Sequence, residues 1–370
     1  MRAVVAVWVI AAGACSSGSA TPSPSDAPRA PPRLAPLADD ATYAKLCVPC
    51  HGREGLGYVA DHAPSLVSMT FLESATDSFL HNAIANGRPG TSMAAYGKHL
   101  GGPLDNAAID RMVTLLRGHG PSAKPLPPVG QGDPAKGEPF YTQLCKPCHG
   151  DATTRGEAPH LANRQFLANA SSSFIKYAVV HGRPGTKMEP FAQKITSDQI
   201  DDIVAYVRLL GDPATAKIDQ LPAPTGSEPL VINPNGKAPR FVTTGEGNKY
   251  VSAAQVAAAL AAKQKLVIID ARPPSDWRQV HITGAVSIPH YELKRLDELP
   301  KDGTWIVSYC ACPHHLSGIV TDELRKRGYT HAVVLDEGIL EWQRRNYPIV
   351  AAPGHTTPPQ ERPMPAGTIQ

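Results

Sequence analysis

The sequence lacks the features that would mark it as a membrane-spanning, nucleic-acid-binding or disordered protein. No apolar run approaches the ~20 residues of a membrane-spanning helix. Lys and Arg form no runs and the formal net charge is only +3, so we expect no nucleic-acid partner. With 42% hydrophobic and 19% charged residues, global disorder is excluded as well. The 370 residues allow two or three domains.

Proline, by contrast, is abundant, with 37 residues in the chain. Many of them are concentrated in four segments, 21–38, 119–134, 213–240 and 347–370. Such segments favour extended and rather stiff connectors. The sequence therefore predicts compact blocks separated by linkers at 119–131 and 213–240, with a Pro-rich tail at 351–370.

The N-terminus carries a short apolar run, from Ala3 to Ala14, directly before Cys15. This run is too short to span a bilayer but suits a secretory signal over 1–15, followed by a Pro/Ser-rich tether over 16–38. The small residues before Cys15 resemble a bacterial lipoprotein signal. That resemblance implies a lipid on Cys15 and export to the periplasmic side of a bacterial membrane, with the outer membrane as one option. The alternative is an ordinary signal peptide that is cleaved nearby.

Four of the seven cysteines fall into two identical patterns. Cys47 and Cys50 precede His51, and Cys145 and Cys148 precede His149. Cys-x-x-Cys-His is the attachment motif of c-type haem, because two thiols one helical turn apart can bond to the haem vinyl groups while the histidine binds iron. A zinc site would need four ligands in each cluster, and a thioredoxin-like pair would need a βαβ context. The sequence predicts two covalently bound haem c groups.

The region after each motif is also repeated. Residues 79–93 align without gaps on residues 174–188, and each alignment ends in a methionine, Met93 or Met188. An amphipathic helix closes each copy, and Thr196 with Gln199 forms a capping-box pattern before the second one. A buried methionine is commonly core filler, and His62, His81, His99, His160 and His181 are alternative iron ligands.

Both copies resemble class I cytochrome c domains, over 39–118 and 132–212. The resemblance implies all-α folds in which the carbonyls of Pro64 and Pro159 orient the two motif histidines. It also implies that Met93 and Met188 are the sixth iron ligands, which raises the reduction potential and suits electron transfer. With both axial positions filled, these domains would carry electrons without transforming a ligand.

From about residue 245 the pattern alternates between apolar strands and helices, which predicts an α/β block with a mainly parallel sheet. One predicted strand ends at Tyr309, and the loop Cys310-Ala311-Cys312-Pro313-His314-His315 leads into a helix. Amide groups at a helix start favour a thiolate, which can accept sulfane sulfur as a persulfide. His314 and His315 could add positive charge. Structural cysteines or a Cys310–Cys312 disulfide are the alternatives.

The block over 245–350 resembles a rhodanese-like domain. The resemblance rests on Asp270-x-Arg272, Asp276-Trp277, the segment 281–289 and Tyr309-Cys310, and on 335–342, where Glu337 replaces a family glycine. It implies that Cys310 is the sulfur-carrying nucleophile and that Asp270, Arg272 and His281 are structural. As a neighbouring thiol, Cys312 could resolve a persulfide on Cys310 into a disulfide. A fold that only docks a partner is the alternative.

Together these patterns predict an exported electron carrier with a sulfur-accepting domain, acting in periplasmic sulfur metabolism. The expected partners are other cytochromes, an oxidase or a reductase, and a sulfur donor such as thiosulfate, polysulfide or a persulfide. A membrane would be contacted through the lipid anchor only. The alternative is a diheme carrier whose last domain docks a partner or senses redox state through Cys310 and Cys312. The connector 213–240 permits contact between haem and sulfur sites without enforcing it.

Overall fold

The computed structural model describes residues 35–311 and 314–361, and the elements below belong to one unit, Pro36–Gln370. The predicted signal peptide, Cys15 and most of the tether lie outside the described residues. The same holds for Cys312, Pro313 and residues 362–370.

The first repeat, residues 39–118, is built from short helices. Its helices are α1 Ala41–Leu46, α2 Val48–His51, α3 Met69–Ser74, α4 Asp77–Asn86 and α5 Asn106–Arg117. Asp40, Thr76 and Asp105 begin α1, α4 and α5 by accepting hydrogen bonds from backbone amides of the first turn. Helix α5 buries the apolar face that its sequence period predicts.

The second repeat, residues 132–212, has the same order of helices. They are α6 Pro134–Leu144, α7 Lys146–His149, α8 Arg164–Asn169, α9 Ser172–His181 and α10 Ser197–Leu209. The predicted capping box of Thr196 and Gln199 is present at the start of α10. One strand is added to the helical pattern, β1 Thr154–Arg155, and it pairs with a segment near the C-terminus.

The last helices of the two repeats use the same anchor. In α5, the guanidinium of Arg117 donates to the carbonyl oxygens of Leu72 and Ala75. In α10, Arg208 donates to the equivalent carbonyl oxygens of Leu167 and Ala170. These carbonyls belong to the third helix of each repeat or to the residue after it, so one arginine satisfies groups that the helix itself leaves unpaired.

The C-terminal block, residues 245–350, contains most of the strands of the chain. The strands after β1 are β2 Tyr250–Val251, β3 Val267–Asp270, β4 Val280–Ile282, β5 Val286–Ser287, β6 Ile306–Tyr309, β7 Ala332–Leu335, β8 Ile349–Ala351 and β9 Gln360–Glu361. Five of them form a parallel sheet in the order β2-β7-β6-β3-β5. Strands β3, β6 and β7 are buried along their whole length, as expected for a parallel sheet covered on both faces. The helices of the block are α11 Ala253–Ala261, α12 Pro274–Trp277, α13 Leu316–Lys326 and α14 Gly338–Arg344.

The connector between the second repeat and the C-terminal block, residues 213–240, packs against other parts of the protein. Leu230 and Val231 pack against a core cluster of the C-terminal block. Leu221 of the connector exchanges hydrogen bonds with Arg278 of the C-terminal block. The side-chain amide of Gln220 donates to the carbonyl of Leu100 in the first repeat. The connector therefore contacts the C-terminal block and the first repeat and helps to fix their relative position.

Candidate functional site

The first Cys-x-x-Cys-His motif lies where α1 meets α2. Cys47 ends α1 and Cys50 lies in α2, so the two thiols are one helical turn apart. Nδ1 of His51 is 3.0 Å from the carbonyl oxygen of Pro64, to which it can donate. That bond holds the proton on Nδ1 and leaves Nε2 to bind a metal. Burial lowers the pKa of His51, which favours the neutral ring that a metal ligand must be.

The second motif repeats this geometry. Cys145 ends α6, Cys148 lies in α7, and Nδ1 of His149 is 2.8 Å from the carbonyl oxygen of Pro159. Burial lowers the pKa of His149 too. The pairing of histidine and proline carbonyl that the family resemblance implied is thus found in both repeats.

The two methionine loops adopt the same turn. The amides of Arg88 and Arg183 donate to the carbonyls of Met93 and Met188 over 2.7 and 2.8 Å. Each methionine amide in turn donates to a threonine hydroxyl two residues earlier, over 3.1 Å in both loops. Met93 and Cys47 pack against the same hydrophobic cluster in the first repeat. Two thiols, a neutral imidazole and a thioether are a donor set that fits covalently bound haem.

Four of the five alternative histidine ligands have other partners. Nδ1 of His81 is 2.7 Å from a carboxylate oxygen of Asp110, and Nε2 of His99 is 3.0 Å from the amide oxygen of Asn86. His160 bonds to the carbonyl of Asp151, and the ring of His181 lies against that of Tyr177 with centroids 4.2 Å apart and an interplanar angle of 42°. These contacts favour the methionines as ligands.

Cys310 follows β6 directly and is 1% exposed. Its Sγ is 3.3 Å from the hydroxyl oxygen of Ser317 in the first turn of α13. The carbonyl of Cys310 accepts a hydrogen bond from Ile339 in α14, where Gly338 has a φ of +68°. A Cβ at Gly338 would lie 2.7 Å from the carbonyl oxygen of Ala311, so glycine is required for this close approach.

The two loop histidines have different surroundings. The ring of His314 stacks on Tyr250 with centroids 3.9 Å apart, and its Nε2 is 2.6 Å from a carboxylate oxygen of Asp336. His314 thus lies within hydrogen-bonding distance of the residue that follows β7, and its electrostatic role beside Cys310 stays a prediction. His315 lies directly before α13.

Asp270, Arg272 and His281 lie in a buried network, as the prediction of a structural role requires. Arg272 donates to both carboxylate oxygens of Asp270 over 2.9 and 2.7 Å, and Tyr309 donates to Asp270 over 2.8 Å. His281 stacks on Trp277 with an interplanar angle of 2°. This network fixes the carboxyl ends of β3 and β6, from which the Cys310 loop starts.

A contact between the first haem motif and Cys310 is the feature that sequence reasoning missed. Cys50 and Ala60 of the first repeat pack against the core cluster that contains Cys310 and Leu316. Burial, and after it the charge of a Cys310 thiolate, raises the pKa of the Cys50 thiol to about 12. Ser317 was missed as well, although its place in the first turn after the loop is the signal that could have revealed it.

Comparison with known families agrees with both resemblances. Residues 37–114 and 132–207 match the family described as "Cytochrome C oxidase, cbb3-type, subunit III", and residues 252–345 match the rhodanese-like domain. The predicted tandem of cytochrome c domains and the rhodanese-like domain are thereby confirmed, as is the predicted combination of helical and parallel α/β folds. Cytochrome c domains imply covalently bound haem c.

Several individual proteins are similar to parts of the chain. "Cbb3-type cytochrome c oxidase subunit FixP" of Bradyrhizobium diazoefficiens is 25% identical over 48% of this chain and 62% of its own length. "Sulfurtransferase" of Allochromatium vinosum is 30% identical over 26% of this chain and 88% of its own. The "Kuenenia stuttgartiensis reducing HAO-like protein complex" has a TM-score of 0.29 at 20% identity, over 49% of this chain and 98% of that one. The chain thus spans less than two thirds of the FixP relative.

Proposed function

The chain joins two cytochrome c domains of the cbb3 subunit III type to a rhodanese-like domain, and from this premise we propose that it is an exported diheme electron carrier that accepts sulfane sulfur on Cys310. The observation that carries the proposal is the position of Cys310, between the end of β6 and the start of α13 and against the first haem motif.

The electron-carrying part rests on the repeated donor set. Cys47 and Cys50 would hold one haem and Cys145 and Cys148 the other, with the histidine and methionine of each repeat toward the iron. A haem iron with one imidazole and one thioether ligand supplies one-electron transfer at a raised potential. The proline carbonyls orient the imidazoles, and the identical turns before Met93 and Met188 hold the thioethers.

The sulfur-accepting part rests on the surroundings of Cys310. With thiosulfate as the donor, the Cys310 thiolate attacks the outer sulfur, the S–S bond breaks, and sulfite leaves with the bonding electron pair. Cys310 then holds the transferred sulfur as a persulfide. The Ser317 hydroxyl can donate to the ionised sulfur, and the amides at the start of α13 favour its negative charge.

Incubation of the purified holoprotein with thiosulfate or glutathione persulfide tests this function. We expect the peptide that contains Cys310 to gain the mass of one sulfur atom and the Cys310→Ser variant to gain none. Cys312→Ser is the matched control, which should keep this first step but alter the later release of sulfide. If Cys310 never gains sulfur in the native protein, the sulfur-accepting role is wrong.

A docking or redox-sensing role is the second candidate, and the burial of Cys310 favours it. At 1% exposure, Cys310 is shielded from a bulky donor in this arrangement of domains. A protein in which the C-terminal block serves only as a docking element would keep both haem groups and take up no sulfur. A sensor would instead convert Cys310 and Cys312 reversibly between dithiol and disulfide, which thiol labelling would follow.

The localisation belongs to the same proposal. Within the described ranges no helix is long and apolar enough to cross a membrane. We propose attachment to the periplasmic side of a bacterial membrane through a lipid on Cys15, with a periplasmic cytochrome, oxidase or reductase as redox partner. Replacing Cys15 by Ser should move the protein from the membrane fraction to the soluble fraction, whereas an unchanged distribution would exclude the lipid anchor.

A further inference from the structure

The C-terminal block holds the first repeat on both sides of its haem motif. The Nε2 atom of His290 is 3.2 Å from the carbonyl oxygen of Lys45, which lies just before Cys47. The hydroxyl of Ser275 donates over 2.5 Å to the carbonyl of Ala95, two residues after Met93. Ser275, Ala95 and His290 are buried, whereas Lys45 is exposed. The block therefore contacts the end of α1, just before the first haem motif, and the segment just after Met93.

The side chain of Tyr291 extends this contact into the interior of the first repeat. It packs against the hydrophobic cluster that Met93 and Cys47 also contact. The ammonium of Lys45 lies 5.8 Å from the centroid of the Tyr291 ring, within the range of a cation–π interaction. Together with the packing of Cys50 and Ala60 beside Cys310, these contacts place the first haem motif against the sulfur site.

The loop after the first haem motif contains Tyr58, Ala60 and Asp61, and its other side faces the second repeat. Asp61 forms a 2.8 Å ion pair with Arg155, and both side chains are largely buried. Tyr58 lies beside Thr186, two residues before Met188. Among the described residues, the two core clusters of the C-terminal block contain no residue of the second repeat. Within the hydrophobic core around Cys310, the order is therefore Cys310, first haem motif, second repeat, although β1 of the second repeat pairs with β9, which lies after the block.

We propose that Cys310 exchanges electrons with the protein's haem groups through the first repeat alone, and that the second repeat passes them to the external partner. This inference rests on the proposed function. The electron count supports it, because sulfur bonds form and break by electron pairs whereas each haem iron takes one electron. Two adjacent cytochrome domains can accept one pair.

The substrate that this order favours is hydrosulfide, whose single heavy atom suits a thiol as buried as Cys310. A bond forms between Sγ of the Cys310 thiolate and the hydrosulfide sulfur, and the S–H bond breaks with release of a proton to solvent. Cys310 is left as a persulfide anion, and two electrons are released. The oxidants are the two ferric haem irons, each reduced to the ferrous state, so charge and atoms balance.

Anaerobic addition of hydrosulfide to the oxidised holoprotein tests the inference. We expect the haem α-band to rise while the Cys310 peptide gains one sulfur atom, and both changes should fall at least tenfold in Cys310→Ser. The variant without the second haem, Cys145→Ala with Cys148→Ala, should keep Cys310-dependent reduction of its remaining haem. One persulfide should then form for every two chains, because two first haems must share the electron pair. The matched variant without the first haem, Cys47→Ala with Cys50→Ala, should lose it. Reversed behaviour of the two variants, or reduction that does not need Cys310, would overturn the order.

An equilibrium measurement keeps the inference testable if a haem-deficient variant fails to fold. The persulfide anion on Cys310 places a negative charge beside the first haem motif that the neutral side chain of Cys310→Ser lacks. Relative to that variant, the persulfide should therefore lower the midpoint potential of the first haem at least three times more than that of the other. Equal shifts would overturn the inference. Failure of the proposed function is distinguishable, because then thiosulfate and glutathione persulfide would also leave the mass of the Cys310 peptide unchanged.

Discussion

Phe79 and Phe174 hold the same place in the two cytochrome repeats, and their rings stack on each other with centroids 4.8 Å apart. Arg88 lies over Phe79 and Phe166, and Arg183 lies over Phe174 and Phe71. The two repeats thus meet through equivalent surfaces, as the subunits of a twofold dimer do. The internal repeat seen in the sequence therefore also explains why the two surfaces of this interface are equivalent.

The stacked pair should be coupled in stability. Phe79→Ala and Phe174→Ala each remove a buried ring and should cost about 3–5 kcal/mol of unfolding free energy. The double variant should cost less than the sum by about 0.5–1.5 kcal/mol, because each single change already removes the stacking. Denaturant unfolding measures these values. The control combines Phe79→Ala with Phe140→Ala, because Phe140 is a half-buried ring in α6 outside the stacked pair, and these two effects should add. Additive effects for Phe79 and Phe174 would contradict the interface.

The buried carboxyl of Asp276 should make stability depend on pH. Burial raises its pKa to about 6 despite Arg272, whose guanidinium is 3.8 Å away. The folded state therefore binds a proton that the unfolded chain releases near pH 4. Stability should fall by roughly 2–3 kcal/mol as the pH rises from 4 through 6. Asp276→Asn should flatten that part of the profile, and an unchanged profile would assign the dependence to other groups.

The two methionines should contribute equally to the sulfur-to-iron(III) absorption near the red end of the visible spectrum. Met93→Ala and Met188→Ala should each remove about half of that weak band, because each repeat would lose its thioether ligand. His81→Ala and His181→Ala serve as controls and should leave the band intact. A methionine variant with an undiminished band would show that the ligand is misassigned in that repeat.

Ser317 should set the pH dependence of sulfur uptake by Cys310. The ionised sulfur can only accept a hydrogen bond, so the hydroxyl at 3.3 Å must donate to it. Ser317→Ala removes this donor and should slow persulfide formation near neutral pH about 2- to 10-fold, since such a bond contributes about 0.5–1.5 kcal/mol. The half-maximal pH of the rate should move upward. Ser308→Ala, in β6, is the control, and equal profiles for all three proteins would exclude a role for Ser317.

Local features of the site could be predicted because short-range chemistry determines them. The Cys-x-x-Cys-His motifs need only one helical turn to place Cys47, Cys50 and His51 together. The capping box at Thr196 and the buried face of α5 follow from hydrogen bonding and periodicity within one helix. The parallel sheet followed from alternating apolar strands and helices. Each of these rests on residues that are near one another in sequence.

The sequence by itself determined the two cytochrome modules, the rhodanese-like fold and the identity of the thiol at the end of β6. Only the tertiary structure decided that Cys50 and Ala60 pack beside Cys310, that Arg155 pairs with Asp61, and that His314 turns to Asp336. The physical reason is that these contacts join segments far apart in the chain. Their partners are selected by shape, burial and charge once the domains dock, and a flexible connector of the same composition would have allowed many other arrangements.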